Sequence, residues 1–439
     1  MEGSRWPFSP PVSPASMAGE IAAFEQAVAA SVVAGGAGDP ASLATRAQLG
    51  RGYALAGRFD AAIVALTENL AATRRTLGAD HPDTIVARND LAWACQVAGQ
   101  VQAAMDVHES CIADLDRVLG PGSAQAARAR VDYARLLTLT GQADLARQPL
   151  EQALADLTRS VGPEHPETLR CQMNLAATPS RTGQASEALA VAERTAAECA
   201  RLLEPDDPEA ISCRAMLGAA YARAGRNDAA VARLESARTD FHRVLGPEHA
   251  ESIRTGGVLG LALSAAGQTD RAVAELEQTV TVAERVLIPQ HRLTILARIG
   301  LAMALRQAGR HADAVPVMDR ATSDFQPASR ADAAQLRRLR FVLADCLVRT
   351  GRAADGIAMA QDLVADLEEP ADRAAVDSRL LLAGLYASAS RHAEADRLYR
   401  AVLPDLVRLY GPEHPRASEV RERLRRAGGP RPFRSSRNA

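Results

Sequence analysis

The stretch VGPEHPETL occupies residues 161–169, and close copies recur along the chain: LGADHPDTI at 77–85, LGPEHAESI at 245–253 and YGPEHPRAS at 410–418. A histidine beside a carboxylate that returns four times suggests either chemistry or punctuation between helices. The residue types favour punctuation. Gly162 suits the left-handed position that closes a helix. Pro163 cannot continue that helix. His165 precedes a proline and is driven out of the helical region. Pro166 fits a first helical position, where a missing N–H costs nothing. Glu167 then faces the positive end of a helix dipole. A metal needs three or four ligands within a few ångströms. Equivalent histidines in stacked helical units would instead stand about 10 Å apart, one helix diameter.

Working outward, the linkers belong to a longer period. A tripeptide of Ala or Thr, Gly, then Arg or Gln places its glycine at Gly57, Gly99, Gly141, Gly183, Gly225, Gly267, Gly309 and Gly351, in equal steps of 42 residues. The next unit comes three residues early, with Ser390 in the glycine position. Five residues after each glycine stands Ala, or Gly356 once; eight before it stands Leu or Tyr; seven before it the residue is always Gly or Ala. Each unit reads as helix A, a tight turn, helix B and a second turn. Small residues at the turn allow the two helices to cross closely. A self-similar period of this length marks a repeat architecture.

Composition narrows the chemistry. Of 439 residues 47% are hydrophobic and only 3% aromatic, which suits Ala-rich helices better than sheets. The formal net charge of −2 provides no global field for nucleic acid or a membrane surface. All 51 basic residues are arginine. Without lysine the chain cannot supply a P-loop, a Schiff base or a protein kinase's phosphate-binding lysine. There is no G-x-S-x-G elbow and no H-E-x-x-H. The expectation is therefore a protein with no catalytic residues, no metal site and no cofactor. The six cysteines form no C-x-x-C pair and read as small core residues, with neither a disulfide framework nor a zinc site; a reducing cytoplasm fits. No run of 18 apolar residues suggests a membrane span.

The phased Leu-Ala/Gly, Gly and Ala positions in NDLAWACQVAGQVQAAM at 89–105, together with the VGPEHPET-type linkers, resemble the tetratricopeptide repeat in its 42-residue kinesin-light-chain form. The resemblance covers about residues 20–427. It implies an all-α, right-handed α-solenoid of about nine helix-turn-helix repeats, with a leading helix near 16–33 and a charged helix near 415–426 as caps. The expected organisation is a Pro/Ser-rich disordered segment over 1–15, the solenoid over 16–427 and a basic disordered tail over 428–439. Three departures stand out. Pro179 falls late in helix A of the fourth unit and should shorten it. The linkers near Pro327 and Pro370 have lost the His-Pro pair.

The resemblance also implies that helix A lines a concave groove. Its inward positions fall 13, 10, 9, 6, 3 and 2 residues before the repeat glycine. They carry Arg51, Arg128, Arg135, Arg170, Arg181, Arg223, Arg254, Arg306, Arg338 and Arg349, against Asp90, Asp132, Asp345 and Asp377. Arginine pairs carboxylates through a two-pronged fork, so this bias points to an acidic peptide or partner loop. Asn89 and Asn174 could hold a ligand's backbone through their amides. Trp93 could offer a stacking face. Arginines equally solvate an exposed helix face, the asparagines equally serve as polar filler, and a lone Trp more often packs against its neighbours. The reading that follows is a cytoplasmic, non-catalytic interaction scaffold for a protein or peptide. The alternatives are a peptide-sensing regulator and a stand-alone partner of a signalling ATPase. The basic tail lacks the aromatic platform of a nucleic-acid binder. The residues do not determine an oligomeric state.

Overall fold

A computed structural model of the chain describes residues 14–428 apart from 37, 56–57, 99, 140–141, 179–184, 326, 328–329 and 368–372. Of the two terminal segments expected to be disordered, 1–13 and 429–439 lie outside the described residues, as does Arg181, while Pro14, Ala15 and Gly428 are helical. Gly57, Gly99, Gly141, Gly183 and the prolines at 179 and 370 also lie outside the described residues.

Among the described residues there are twenty helices and no strand. A leading helix, α1 (Pro14–Gly35), precedes nine A/B pairs. These are α2 (Pro40–Leu55) with α3 (Phe59–Leu77), α4 (Pro82–Val97) with α5 (Val101–Leu119), α6 (Ala124–Leu139) with α7 (Ala143–Ser160), and α8 (Pro166–Ala177) with α9 (Ala185–Leu202). Then come α10 (Pro208–Arg223) with α11 (Asn227–Leu245), α12 (Ala250–Ala265) with α13 (Thr269–Val286), α14 (Arg292–Gln307) with α15 (His311–Asp324), α16 (Arg330–Arg349) with α17 (Ala353–Ala365), and α18 (Arg373–Ser388) with α19 (His392–Tyr410). A final helix, α20 (Pro415–Gly428), is rich in Arg and Glu. The architecture is an all-α solenoid of helical hairpins. It divides into two compact units, Met1–Ala308 with Asp324–Asp332 and Gly309–Ser323 with Ala333–Ala439.

The recurring linker works as a cap. His81, His165, His249 and His291 each have extended backbone and precede the first helical residue. Each imidazole Nδ1 accepts a hydrogen bond from the N–H two residues on, at 3.2 Å for Asp83, 3.3 Å for Glu167, 3.1 Å for Glu251 and 3.1 Å for Leu293. Asp207 performs the same task for α10, its carboxylate accepting from the Glu209 N–H at 2.8 Å. One of the helix's four orphan donors is thereby satisfied. The following Thr or Ser closes the other side. The hydroxyls of Thr84, Thr168 and Ser252 each donate to the carbonyl of the linker glycine, Gly78, Gly162 and Gly246, at 2.7 Å.

The linker carboxylate has a partner one helix away. Glu164 accepts from Arg201 at 2.6 Å and Glu248 from Arg285 at 2.7 Å; Asp80 with Arg117 and Asp206 with Arg243 repeat the arrangement. The arginines sit in the last turn of helix B, where a cation suits the negative end of the dipole. A second series ties helix A to helix B within a hairpin. Arg130 reaches Asp156 at 3.2 Å, Arg214 reaches Asp240 at 2.9 Å, Arg298 reaches Asp324 at 2.6 Å and Arg379 reaches Asp405 at 3.1 Å. Arg88 pairs with Asp114 in the same way.

Close crossing of the two helices rests on the small residue seven before the repeat glycine. A β-carbon built on Gly260 would stand 2.3 Å from Leu276 Cγ. Leu276, nine residues after the repeat glycine, is fully buried, as are its counterparts Leu66, Leu150 and Leu234. Burying one such leucine contributes roughly 1.5–3 kcal/mol. In the second repeat the same slot holds His108, also fully buried.

The fourth repeat differs. α8 ends at Ala177 after 12 residues, where most A helices run 16. Thr178 is extended, as suits a residue before proline. The cysteine expectation is corrected at the junction of the fourth and fifth repeats. Cys199 and Cys213 form a disulfide, with Cα atoms 6.7 Å apart across the loop from α9 to α10. Fourteen residues separate them, just enough for one helix end to fold back beside the next. Leu157 and Cys171 occupy the same two positions one repeat earlier, so the bond exploits a contact the fold makes anyway. Cys111, Cys171 and Cys346 are buried thiols outside the disulfide.

Candidate functional site, the inward stripe of the A helices

The inward arginines divide by what they touch. Four have carboxylate partners. Arg51 pairs with Asp90 of the next repeat, and the Arg128 Nε donates to Glu167 at 2.6 Å. The Arg254 Nε donates to Glu251 at 2.9 Å, and Arg349 to Asp345 at 2.9 Å. Arg170 lies in the field of Glu209 and opposes the rise of its pKa. Arg223 has a different role. Its guanidinium donates to the Ala177 carbonyl and to the Ala219 carbonyl, so it caps the shortened C-terminus of α8.

Among the described residues Arg135, Arg306 and Arg338 have no carboxylate within ion-pair distance. The Nε atoms of Arg135 and Arg306 are buried and without a hydrogen-bond partner. Arg338, on α16 in the second unit, is exposed.

The pairing partners reveal an inward position that the sequence reading left out. Glu167, Glu209 and Glu251 stand 16 residues before the repeat glycine and recur at 42-residue steps. Their own periodicity would have identified them. They lower the surplus of positive charge that ten arginines against four aspartates had suggested. Burial opposes the charge on Glu251, but Arg254, His249 and Arg135 overcome it and hold the carboxyl at about 2. Burial dominates at Glu209 and at Asp90 and pushes both upward, against Arg170 and Arg51 respectively. Glu251 and Arg254 each keep 33% of their side-chain surface exposed. The pair is therefore water-accessible and does not belong to a dry core. Arg135 on α6 acts electrostatically on His108 of α5, Glu209 of α10 and Glu251 of α12.

The two asparagines differ. The Asn89 Oδ1 lies 3.0 Å from His108 Nδ1, so this amide is committed to helix B of its own repeat. Asn174 is half-buried on α8. Trp93 packs against the cluster of Ala54, Ala62, Leu66 and Ala94. No group of three His, Cys, Asp or Glu among the described residues could hold a metal ion. None of the described helices is long and apolar enough to cross a membrane.

These features define a class: an array of helical hairpins whose A helices carry a stripe of mixed charge. Family comparison identifies the repeat. A tetratricopeptide repeat model matches residues 43–117, 125–197, 213–285 and 251–326, and a second tetratricopeptide model matches 376–416. The chain belongs to the tetratricopeptide repeat family. Among solved structures, IFIT1 in complex with m7Gppp-AAAA is similar at 15% identity and TM-score 0.55, over 94% of this chain and 87% of that one. A putative kinesin light chain with nearly identical TPR-like repeats from Podosopora anserina matches 47% of this chain and 98% of its own, at 21% identity and TM-score 0.43. BtubC (BKLC) from P. vanneervenii matches 51% of this chain and 90% of its own, at 18% identity and TM-score 0.42. No curated protein matches the sequence.

Proposed function

We propose that this protein is a non-catalytic scaffold whose inward stripe holds a peptide or a loop of a partner protein, with acidic residues among those it recognises. The observation that carries this reading is Arg135. It lies on α6, half-buried, in the field of Glu209 of α10 and Glu251 of α12, but with no carboxylate within ion-pair distance among the described residues and a buried Nε left unsatisfied. A guanidinium in that state gains most from a carboxylate brought by a ligand, because a buried unpaired donor costs about 1–3 kcal/mol. Arg51, Arg128 and Arg254 are already neutralised; the first two pairs tie neighbouring A helices together, and the third lies within α12. A cytoplasmic setting belongs to the same proposal.

The test is a peptide array probed with full-length protein at two salt concentrations. Acidic peptides should be retained preferentially and weaken as salt rises. The Arg135→Gln variant should lose that preference. Retention of neutral or basic peptides over acidic ones would overturn the reading.

A further inference from the structure

The inward stripe of the first unit is not uniform along its length. On α4 and α6 it carries Asn89, Asp90, Asp132 and Arg135. On α12 and α14, which pack side by side, it turns apolar. Leu261 is 52% exposed and Leu296 is 37% exposed, while Ile299 and Met303 are half-buried beside them. The patch is continuous. A β-carbon built on Gly300 of α14 would meet Leu261 Cδ2 of α12 at 3.8 Å, and Leu296 is one turn before Gly300 on the same face. Single exposed leucines are ordinary, but adjacent ones on packed helices form a surface that water covers at a cost.

Gly257, one turn before Leu261, adds an independent indication. It lies inside α12, where glycine costs roughly 1 kcal/mol relative to alanine. Gly260 is explained by Leu276, but a β-carbon at Gly257 would meet nothing within 4 Å. No packing within the chain requires a glycine there. At the C-terminal end of the α14 stripe stands Arg306, without a carboxylate partner and with its Nε buried and unsatisfied.

We infer that α12 and α14 form a docking surface for a partner segment carrying bulky aliphatic side chains next to a carboxylate. The aliphatic groups cover Leu261 and Leu296, the segment's backbone approaches over Gly257, and the carboxylate pairs with Arg306. This rests on the proposed function and deepens it by adding an apolar requirement. Charge complementarity selects this occupant, since a second copy of the chain would need an acidic–aliphatic strip of its own to satisfy Arg306.

Fluorescence anisotropy with the full-length protein and three fluorescein-labelled 12-residue peptides tests it: one of leucine and glutamate, one of serine and glutamate, one of leucine and serine. The leucine–glutamate peptide should bind at least tenfold tighter than either other. The double variant Leu261→Asp, Leu296→Asp should weaken it at least tenfold with its melting temperature unchanged, because both side chains are exposed. Arg306→Gln should weaken it several-fold without affecting the leucine–serine peptide. If the serine–glutamate peptide binds equally well, the apolar surface is refuted while the acidic reading stands. If the leucine–serine peptide equals the leucine–glutamate one, the role of Arg306 and the acidic reading both fall. Binding of none refutes both.

Discussion

The Phe59 ring stacks on the His291 imidazole, with centroids 5.2 Å apart and planes within 8°. The two residues are 232 positions apart, one opening helix B of the first repeat and the other capping helix A of the seventh. Around them Ala98, Ile253, Ala283 and Leu287 form one buried cluster. Repeats that should touch only their neighbours thus acquire a long-range contact, and His291 is buried where His81 and His165 are only partly covered.

Phe59→Ala should therefore cost more than an edge-of-repeat truncation. The expected loss is about 3 kcal/mol, in the range for a buried Phe. Urea unfolding should also become less cooperative, because the contact links distant repeats. Unfolding with an unchanged midpoint and slope would show that the stack carries no stability.

Ser390 adopts φ 60°, in the place where Gly225, Gly267, Gly309 and Gly351 have φ between 73° and 85°. A side chain in this left-handed conformation is strained by roughly 1 kcal/mol or more. Ser390→Gly should raise stability by about 0.5–1 kcal/mol in thermal unfolding, and Ser390→Val should lower it.

Gly260→Ala should destabilise by about 1–3 kcal/mol, because the new methyl meets Leu276 at the helix crossing. Combining it with Leu276→Ala should cost less than the sum of the two single changes. Strict additivity in calorimetry would exclude this contact as the reason for the glycine.

His108 provides the pH dependence. Burial lowers its pKa below the ordinary 6.5; Asp132 opposes the shift and Arg135 adds to it. The unfolded chain then takes up the proton first. Stability is complete above about pH 6.5 and declines as pH falls toward the folded-state value. His242 and His249 are lowered too and act with the same sign. His108→Leu restores the residue found at this position in other repeats. It should reduce the loss between pH 7 and pH 5, measured by denaturant midpoint.

Reducing the Cys199–Cys213 disulfide, or Cys199→Ser, should lower stability by about 2–4 kcal/mol, the usual range for closing a loop of this length. Intact-mass measurement after alkylation should find four modified thiols before reduction and six after. Six before reduction would show that the bond is absent in solution.

Much of the fold was legible because helical repeats are governed locally. The 42-residue phase, the proline and glycine punctuation, and the shortened fourth A helix all follow from backbone preferences a few residues long. The candidate stripe was legible as a set of positions but not as a set of charges. Whether Arg51 or Arg135 is paired depends on carboxylates 39 or more residues away, and Glu167, Glu209 and Glu251 come into view through the arginines they face. Arg223 was placed among the ligand-facing residues because its spacing is right, yet it spends its donors on the broken end of α8.

By itself the sequence determined that this chain is a stack of helical hairpins, since each apolar stripe is set by side chains three and four apart and must be buried against the next hairpin. Tertiary structure alone decided that Phe59 meets His291, that Cys199 bonds Cys213, and that Arg135 and Arg306 have no carboxylate within ion-pair distance among the described residues. These depend on how far the chain curves between repeats. That curvature is the sum of many small packing offsets, and no single window of residues encodes it.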